Sequence, residues 1–349
     1  MRVCDYITNQ LVKIGVRRVY GLMGGGASGL NDGFIRNPDI DYISFHNEQG
    51  AAHAAVGESR YTGNLSVVNP TTGCGGTNCI TSLLGAYQDS IPVLFLSGNV
   101  RADQTTFIYN RDHPLYNIRK YGIQEHNIIP TVDSITKFSH FLDTPRFVKH
   151  ILELAINTAT RGRNGPVWID IPSDVQVAEI PDNTPDIVID TEYSLDHYID
   201  ENFSMDFLSY NEYKKPLILA GSGIRQAGVI DYFHEFVEKY DIPYVSTYGA
   251  RDYDTYDNKY NIGTIGVKGS RAGNFALQQC DLLLILGCSM GVSHIGYDFK
   301  SFSPNSYKII VDIDMNEIYK SVIQLDTCFH MDLKSFFLKM LGNSYVKLG

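Results

Sequence analysis

Short apolar runs that stop abruptly at glycine or small polar residues recur along this chain. RRVYGLM runs into GGGASGLNDG, IDYISFH into NEQGAAHAA, and LSVVNP into TTGCGGTN. Helical stretches separate them: Val3, Ile7, Leu11 and Ile14 fall at helical spacing within residues 1–18, and CITSLLGAYQD precedes the strand-like IPVLFLSGN. Strands alternating with helices at this interval build βαβ units with right-handed crossovers, and therefore a parallel sheet. The helix RFVKHILELAINTATRG and the strand GPVWIDIPSD close this first half.

A second alternation begins at KPLILAGSGI and continues through VIDYFHEFVEKY, IPYVSTYG, CDLLLILGCSM and KIIVDIDM. Between the two lies PDNTPDIVIDTEYSLDHYIDENFSMDFLSY, rich in Asp and weakly periodic, which reads as a linker. The expected fold class is α/β, with two doubly wound parallel-sheet domains over 1–180 and 211–349 joined by 181–210.

Charge and composition exclude several functions. Lys and Arg total 29 against 39 for Asp and Glu, a formal charge of −10, and no basic run offsets this, so a nucleic-acid surface is not expected. The first residues carry charges every few positions and lack an apolar signal core, and runs such as DLLLILG are too short to span a bilayer. No membrane association and a cytoplasmic location are the expectation. The six cysteines form no CxxC pair and read as reduced thiols.

In open parallel sheets, ligands bind beyond the carboxyl ends of strands. Three first-half segments meet that condition: GLMGGGASG, HNEQGAA and NPTTGCGGTN. Their glycines let backbone amides approach a ligand closely, and three together suggest one shared cleft. Glu48 opens a helix of small residues (Gly50, Ala51, Ala52, Ala54 and Ala55). The helix terminus favours its charge while desolvation opposes it, a balance suited to sharing a proton with a basic nitrogen. Read from the residues alone, it serves equally well as a favourable first-turn acid.

The segments HNEQGAAHAAVGESRYTGN, NPTTGCGGTNCITSLLGAYQDSIPVLFLSGNV and RGRNGPVWIDIPSDVQ resemble the amino-terminal, pyrimidine-binding domain of thiamine diphosphate-dependent enzymes, of the acetolactate synthase type in particular. The second half, with IGTIGVKGSRAGNFALQQCDLLLILG and IIVDIDMNEI, is similar to that family's central, Rossmann-like domain. The resemblance implies that Glu48 bonds the N1′ nitrogen of the cofactor's aminopyrimidine and so promotes decarboxylation of a 2-keto acid by the cofactor. It places Gly24 and Gly25 in a loop near the reacting carbon, Thr72, Gly73 and Asn78 in the loop lining the cofactor pocket, and Gln124 at the active site. A glycine turn or helix cap explains each of these positions nearly as well. Departures from the family pattern are Asn47 between His46 and Glu48, Cys74 for a proline, Gly76 for an alanine, Ile123 for a phenylalanine and Asn164 for a proline.

The resemblance also implies Mg2+, held with the diphosphate by a third domain through Gly-Asp-Gly and paired asparagines. Neither motif occurs here, so the metal site is expected outside this chain, on a neighbouring copy or a diphosphate-domain partner. The chain then reads as part of a longer enzyme, as one subunit of a split enzyme, or as a non-catalytic scaffold that kept the fold; by itself it is expected to be inactive. Pyruvate or a similar 2-keto acid is the expected substrate, with a simple decarboxylase or acyl-CoA lyase as the alternative reaction. FAD is possible but doubtful: Arg163, GVKGSRAGN and Asp312–Asp314 match its landmarks only in part, and GSGIRQAG has the wrong spacing for a dinucleotide fingerprint.

Overall fold

Val67 and Val68, Leu94 and Phe95, Val167 and Trp168 are adjacent pairs in which one residue enters one apolar core and its neighbour the other. That division is what a strand buried on both faces requires, and it explains why the central strands are continuous apolar runs rather than alternating ones. The computed structural model describes residues 1–185, 200, 203, 213–255, 257–320 and 322–342. It divides into two units, Met1–Tyr193 and Ser194–Gly349. Most of the expected linker, 181–210, lies outside the described residues.

The first unit holds six parallel strands: β1 (Arg18–Gly21), β2 (Asp41–Ser44), β3 (Ser66–Asn69), β4 (Val93–Asn99), β5 (Phe138–Phe141) and β6 (Val167–Pro172), in the order β2-β1-β3-β4-β6-β5. One face is covered by helices Val3–Lys13, Ser28–Arg36 and Val148–Thr160, which bring Ile7, Leu11, Phe34, Leu152 and Ala155 against Val67, Leu94 and Ile169. The other carries helices Glu48–Thr62 and Ile80–Gln88, whose Ala51, Ala52, Ala55, Leu83 and Ala86 meet Val68, Phe95 and Trp168. Small residues on Glu48–Thr62 let that helix lie close to the sheet. It ends at Gly63 in the left-handed conformation (φ 77°), a conformation glycine adopts without steric cost.

The second unit repeats the plan with β7 (Pro216–Ala220), β8 (Tyr244–Ser246), β9 (Asn261–Thr264), β10 (Leu282–Leu286), β11 (Tyr307–Asp312) and β12 (Thr327–His330), in the parallel order β12-β11-β10-β7-β8-β9. Helices Ile230–Tyr240 and Leu333–Leu341 pack Phe233, Phe236, Phe336 and Phe337 on one face. The fold is α/β with two six-stranded parallel sheets, as the alternation of apolar runs implies. Strands β5, β9 and β12, which the apolar pattern does not announce, are all at sheet edges and only partly buried.

In the first unit the strand order reverses between β1 and β3. The loops leaving their carboxyl ends, 22–27 and 70–73, therefore lead to helices on opposite faces of the sheet, at the position where open parallel sheets bind ligands, and they touch where Gly24 and Gly26 meet Thr71 and Thr72.

Candidate active site

Glu48 is the first residue of its helix, after the short turn Phe45, His46 and Asn47 that follows β2. Asn47 caps that helix, its side-chain oxygen accepting the Gly50 N–H at 3.3 Å. The residue that interrupts His46 and Glu48 thus fixes where the helix begins. The Glu48 carboxylate is half-buried and turns toward the loop after β3, where Asn78 Nδ2 donates to Oε2 at 2.9 Å. Oε1 lies over Gly75, 3.2 Å from where a β-carbon would stand, and accepts no hydrogen bond among the described residues. Below, the Cys79 thiol donates to the Glu48 carbonyl at 3.7 Å. Burial pushes that thiol well up, and the Glu48 charge adds to the effect, so it stays protonated.

The loops close on one another at glycines. Side chains on Gly24 and Gly26 would overlap Thr71 and Thr72, and one on Gly98 would overlap the Gly26 carbonyl, whereas Gly25 faces open space. Gly73 has φ 59° and lies directly under the carbonyl of Gln124, itself at φ 55°. Gln124 thus meets the loop through its backbone, while its side chain is exposed. Beside it, Glu125 is buried and accepts from Thr106 N (3.2 Å), Thr106 Oγ1 (3.1 Å) and Tyr121 N (2.7 Å), which holds the segment against helix Thr106–Asp112. The expected site residues Glu48, Thr72, Gly73, Asn78 and Gln124 are therefore joined by direct contacts or a shared loop, and Gly24 borders them through Thr71.

Beneath the loops is a polar cluster that the motifs do not reveal. Asp170, in the middle of β6, accepts from Ser97 Oγ at 2.6 Å and from Asn99 Nδ2 at 2.7 Å, and Trp168 Nε1 donates to Ser97 Oγ at 2.8 Å. Burial, with a smaller push from the Glu125 charge, raises the Asp170 carboxyl to about 7 against the opposing pull of Ser97 and Asn99. Asn99 Oδ1 in turn accepts from Thr72 Oγ1 at 2.9 Å.

The residues suit an aminopyrimidine ring. A carboxylate oxygen without a donor faces glycine-walled loops, and Thr71 Oγ1 is buried with no hydrogen-bond partner among the described residues. No group of three or more His, Cys, Asp or Glu among the described residues stands together as a metal site. The FAD landmarks have local roles. Arg163 Nε donates to Ser90 Oγ at 2.7 Å. Asn274 bonds both backbone groups of Gly266 (2.9 and 3.1 Å), and Asp312 accepts from the Asp314 N–H at 2.9 Å.

Two parallel α/β units, the first with a carboxylate among glycine-rich loops at the carboxyl ends of its strands, define the class: a doubly wound α/β protein with a candidate ligand site in its first unit. The chain belongs to the thiamine pyrophosphate enzyme family, matching its N-terminal TPP-binding domain over residues 1–129 and its central domain over 210–340. It is 31% identical over 342 residues to the acetolactate synthase large subunit of Lactococcus lactis, covering 98% of this chain and 57% of that protein. It is 30% identical to the probable acetolactate synthase large subunit of Methanocaldococcus jannaschii, over 92% of this chain and 53% of that one. The isozyme 2 large subunit of Escherichia coli is also 30% identical, over 92% and 55%. The chain spans about half the length of these curated relatives. Among the described residues, no helix is long and apolar enough to cross a membrane.

Proposed function

We propose that this chain supplies the pyrimidine-binding and central domains of an acetolactate synthase-like enzyme that acts on pyruvate or a similar 2-keto acid. Residues 1–180 form the first domain and 211–349 the second. The observation that carries the reading is the Glu48 carboxylate, tethered by Asn78 through one oxygen and open at the other. Thiamine diphosphate, when bound, supplies the nucleophilic carbon and the electron sink that decarboxylation of a 2-keto acid requires. Glu48 holds or shares the proton of a ring nitrogen at Oε1, and Asn78 keeps the carboxylate aimed. The glycines at 24–26 and 73 would let backbone approach the ring, and Gln124, held against Gly73 through its carbonyl, would stand at the edge of that site.

Mg2+ and the diphosphate are held by residues outside this chain, on a partner or a further domain, and the complete site forms in an oligomer. FAD has no part in this reading. The protein works in the cytoplasm.

The test supplies the chain with a diphosphate-binding domain of the family, Mg2+ and thiamine diphosphate, and measures CO2 release from pyruvate. Cofactor-dependent release that Glu48→Gln abolishes is the expected result. Release indifferent to Glu48, or no cofactor binding by the assembled protein, overturns the reading.

A further inference from the structure

We propose that Asn99 is a positioning residue of this site, clamped by Asp170 so that one buried amide ties the loop 70–78 to the segment 121–126. Asn99 ends β4, is 1% exposed, and has Pro172 as its register partner on β6. Its four hydrogen-bonding positions all have partners. Oδ1 accepts from Val100 N at 2.8 Å and Thr72 Oγ1 at 2.9 Å, while Nδ2 donates to Asp170 Oδ2 at 2.7 Å and the His126 carbonyl at 3.4 Å.

The direction of each bond follows from chemistry. A backbone N–H can only donate, so Oδ1 must face Val100. The His126 carbonyl can only accept, so Nδ2 must face that side, where Asp170 also accepts. With the amide fixed this way, Thr72 must donate its hydroxyl proton to Oδ1. Two of the bonds reach the two loops that carry Gly73 and Gln124, which also touch each other directly. From Thr72 the loop runs four residues of helix onward to Asn78, the residue that holds Glu48. Asn99 is thus a common anchor for the loop 70–78 and the segment 121–126, and Asp170 is the buried group that holds the amide in place.

A role in cofactor binding rests on the function proposed above; the ordering of the loops does not. Hydrogen exchange on the intact chain separates the two. In Asn99→Ala, amides of 70–78 and 121–126 are expected to exchange about tenfold faster or more, with the rest of the first unit unchanged. Asp170→Leu should reproduce this. Asp170→Asn should not, because its amide oxygen still accepts from Asn99, while its N–H takes the place of the oxygen that faced Ser97 and turns the Ser97 hydroxyl from donor to acceptor. Thr72→Val, a small change at a half-buried site, should loosen 70–78 and leave 121–126 protected. Unchanged exchange in Asn99→Ala, or equal damage from Asp170→Asn and Asp170→Leu, overturns the proposal. If Asn99→Ala does not fold, the decision passes to Thr72→Val, where unaltered protection of 70–78 overturns it. Calorimetry with thiamine diphosphate and Mg2+, on the chain assembled with a diphosphate-binding domain of the family, runs alongside, with affinity in Asn99→Ala expected to fall about tenfold. Absence of binding by the wild-type assembly, with the exchange pattern intact, rejects the cofactor reading alone.

Discussion

Asn78 donates its side-chain amide to Glu48 Oε2 at 2.9 Å, across thirty residues of sequence, and Oε1 has no donor among the described residues. One oxygen positions the group and the other is available to a ligand. Glu48→Gln keeps the shape but cannot take a proton, so cofactor-dependent turnover in the assembled enzyme is expected to fall about a hundredfold to ten-thousandfold. Asn78→Ala removes only the tether and should cost about tenfold. Steady-state CO2 release from pyruvate measures both, and equal losses in the two variants would contradict this division of roles.

Gly73 and Gly76 belong to one loop and should respond oppositely to alanine. At Gly73, φ is 59° and the Gln124 carbonyl fills the space a β-carbon would need. Gly73→Ala is expected to destabilise the protein by about 1–3 kcal/mol and to lift the segment around Gln124 off the loop. A lowered urea midpoint together with faster proteolysis near Gln124 is the outcome to look for.

At Gly76 a β-carbon would meet Trp168 Cζ2 at 3.6 Å and Ile128 Cδ1 at 3.8 Å, ordinary packing distances, within the helix Cys74–Thr77. Gly76→Ala is therefore expected to stabilise by about 0.5–1 kcal/mol, by reducing the freedom of the unfolded chain and improving helix propensity. Thermal denaturation decides it; a lowered midpoint would mean that the loop needs glycine here for a reason other than space.

The central strands were legible because burial on both faces demands continuous apolar residues, and LSVV, VLFL and LLLIL supply them. The edge strands FSHF, NIGT and TCFH were not, since four partly buried residues with polar members carry almost no period. The same contrast divides the site. Glu48, Thr72, Gly73 and Asn78 stand in loops or at helix starts, where glycine and polar residues announce themselves. Asn99 and Asp170 sit inside LFLSGN and VWIDIP, where a lone polar residue in an apolar run looks like a break in the strand. Only the pairing of Ser97 with Asp170 across β4 and β6 reveals that each is the other's partner. Polar residues inside strands otherwise buried on both faces were the available signal.

Asp170 also sets a pH dependence whose sign is fixed by its surroundings. Its carboxyl ordinarily titrates at 3.8; burial raises this to about 7 in the folded protein, with Ser97 and Asn99 opposing and the facing Glu125 adding to the rise. The folded state therefore holds this proton more tightly than the unfolded chain does. The stability it contributes is complete below about pH 4, declines as pH rises, and is lost above about pH 7. The span from 3.8 to about 7 corresponds to about 4 kcal/mol. Asp170→Asn stays neutral while keeping an acceptor for Asn99, with an N–H that the Ser97 hydroxyl accepts instead of donating, so it should remove this decline. Urea denaturation at about pH 5 and about pH 8 is expected to show the wild type losing more stability than Asp170→Asn between the two conditions. Parallel losses would mean that the hydrogen bonds from Ser97 and Asn99 offset the burial of the carboxylate in full, so that it ionises inside the sheet at no cost.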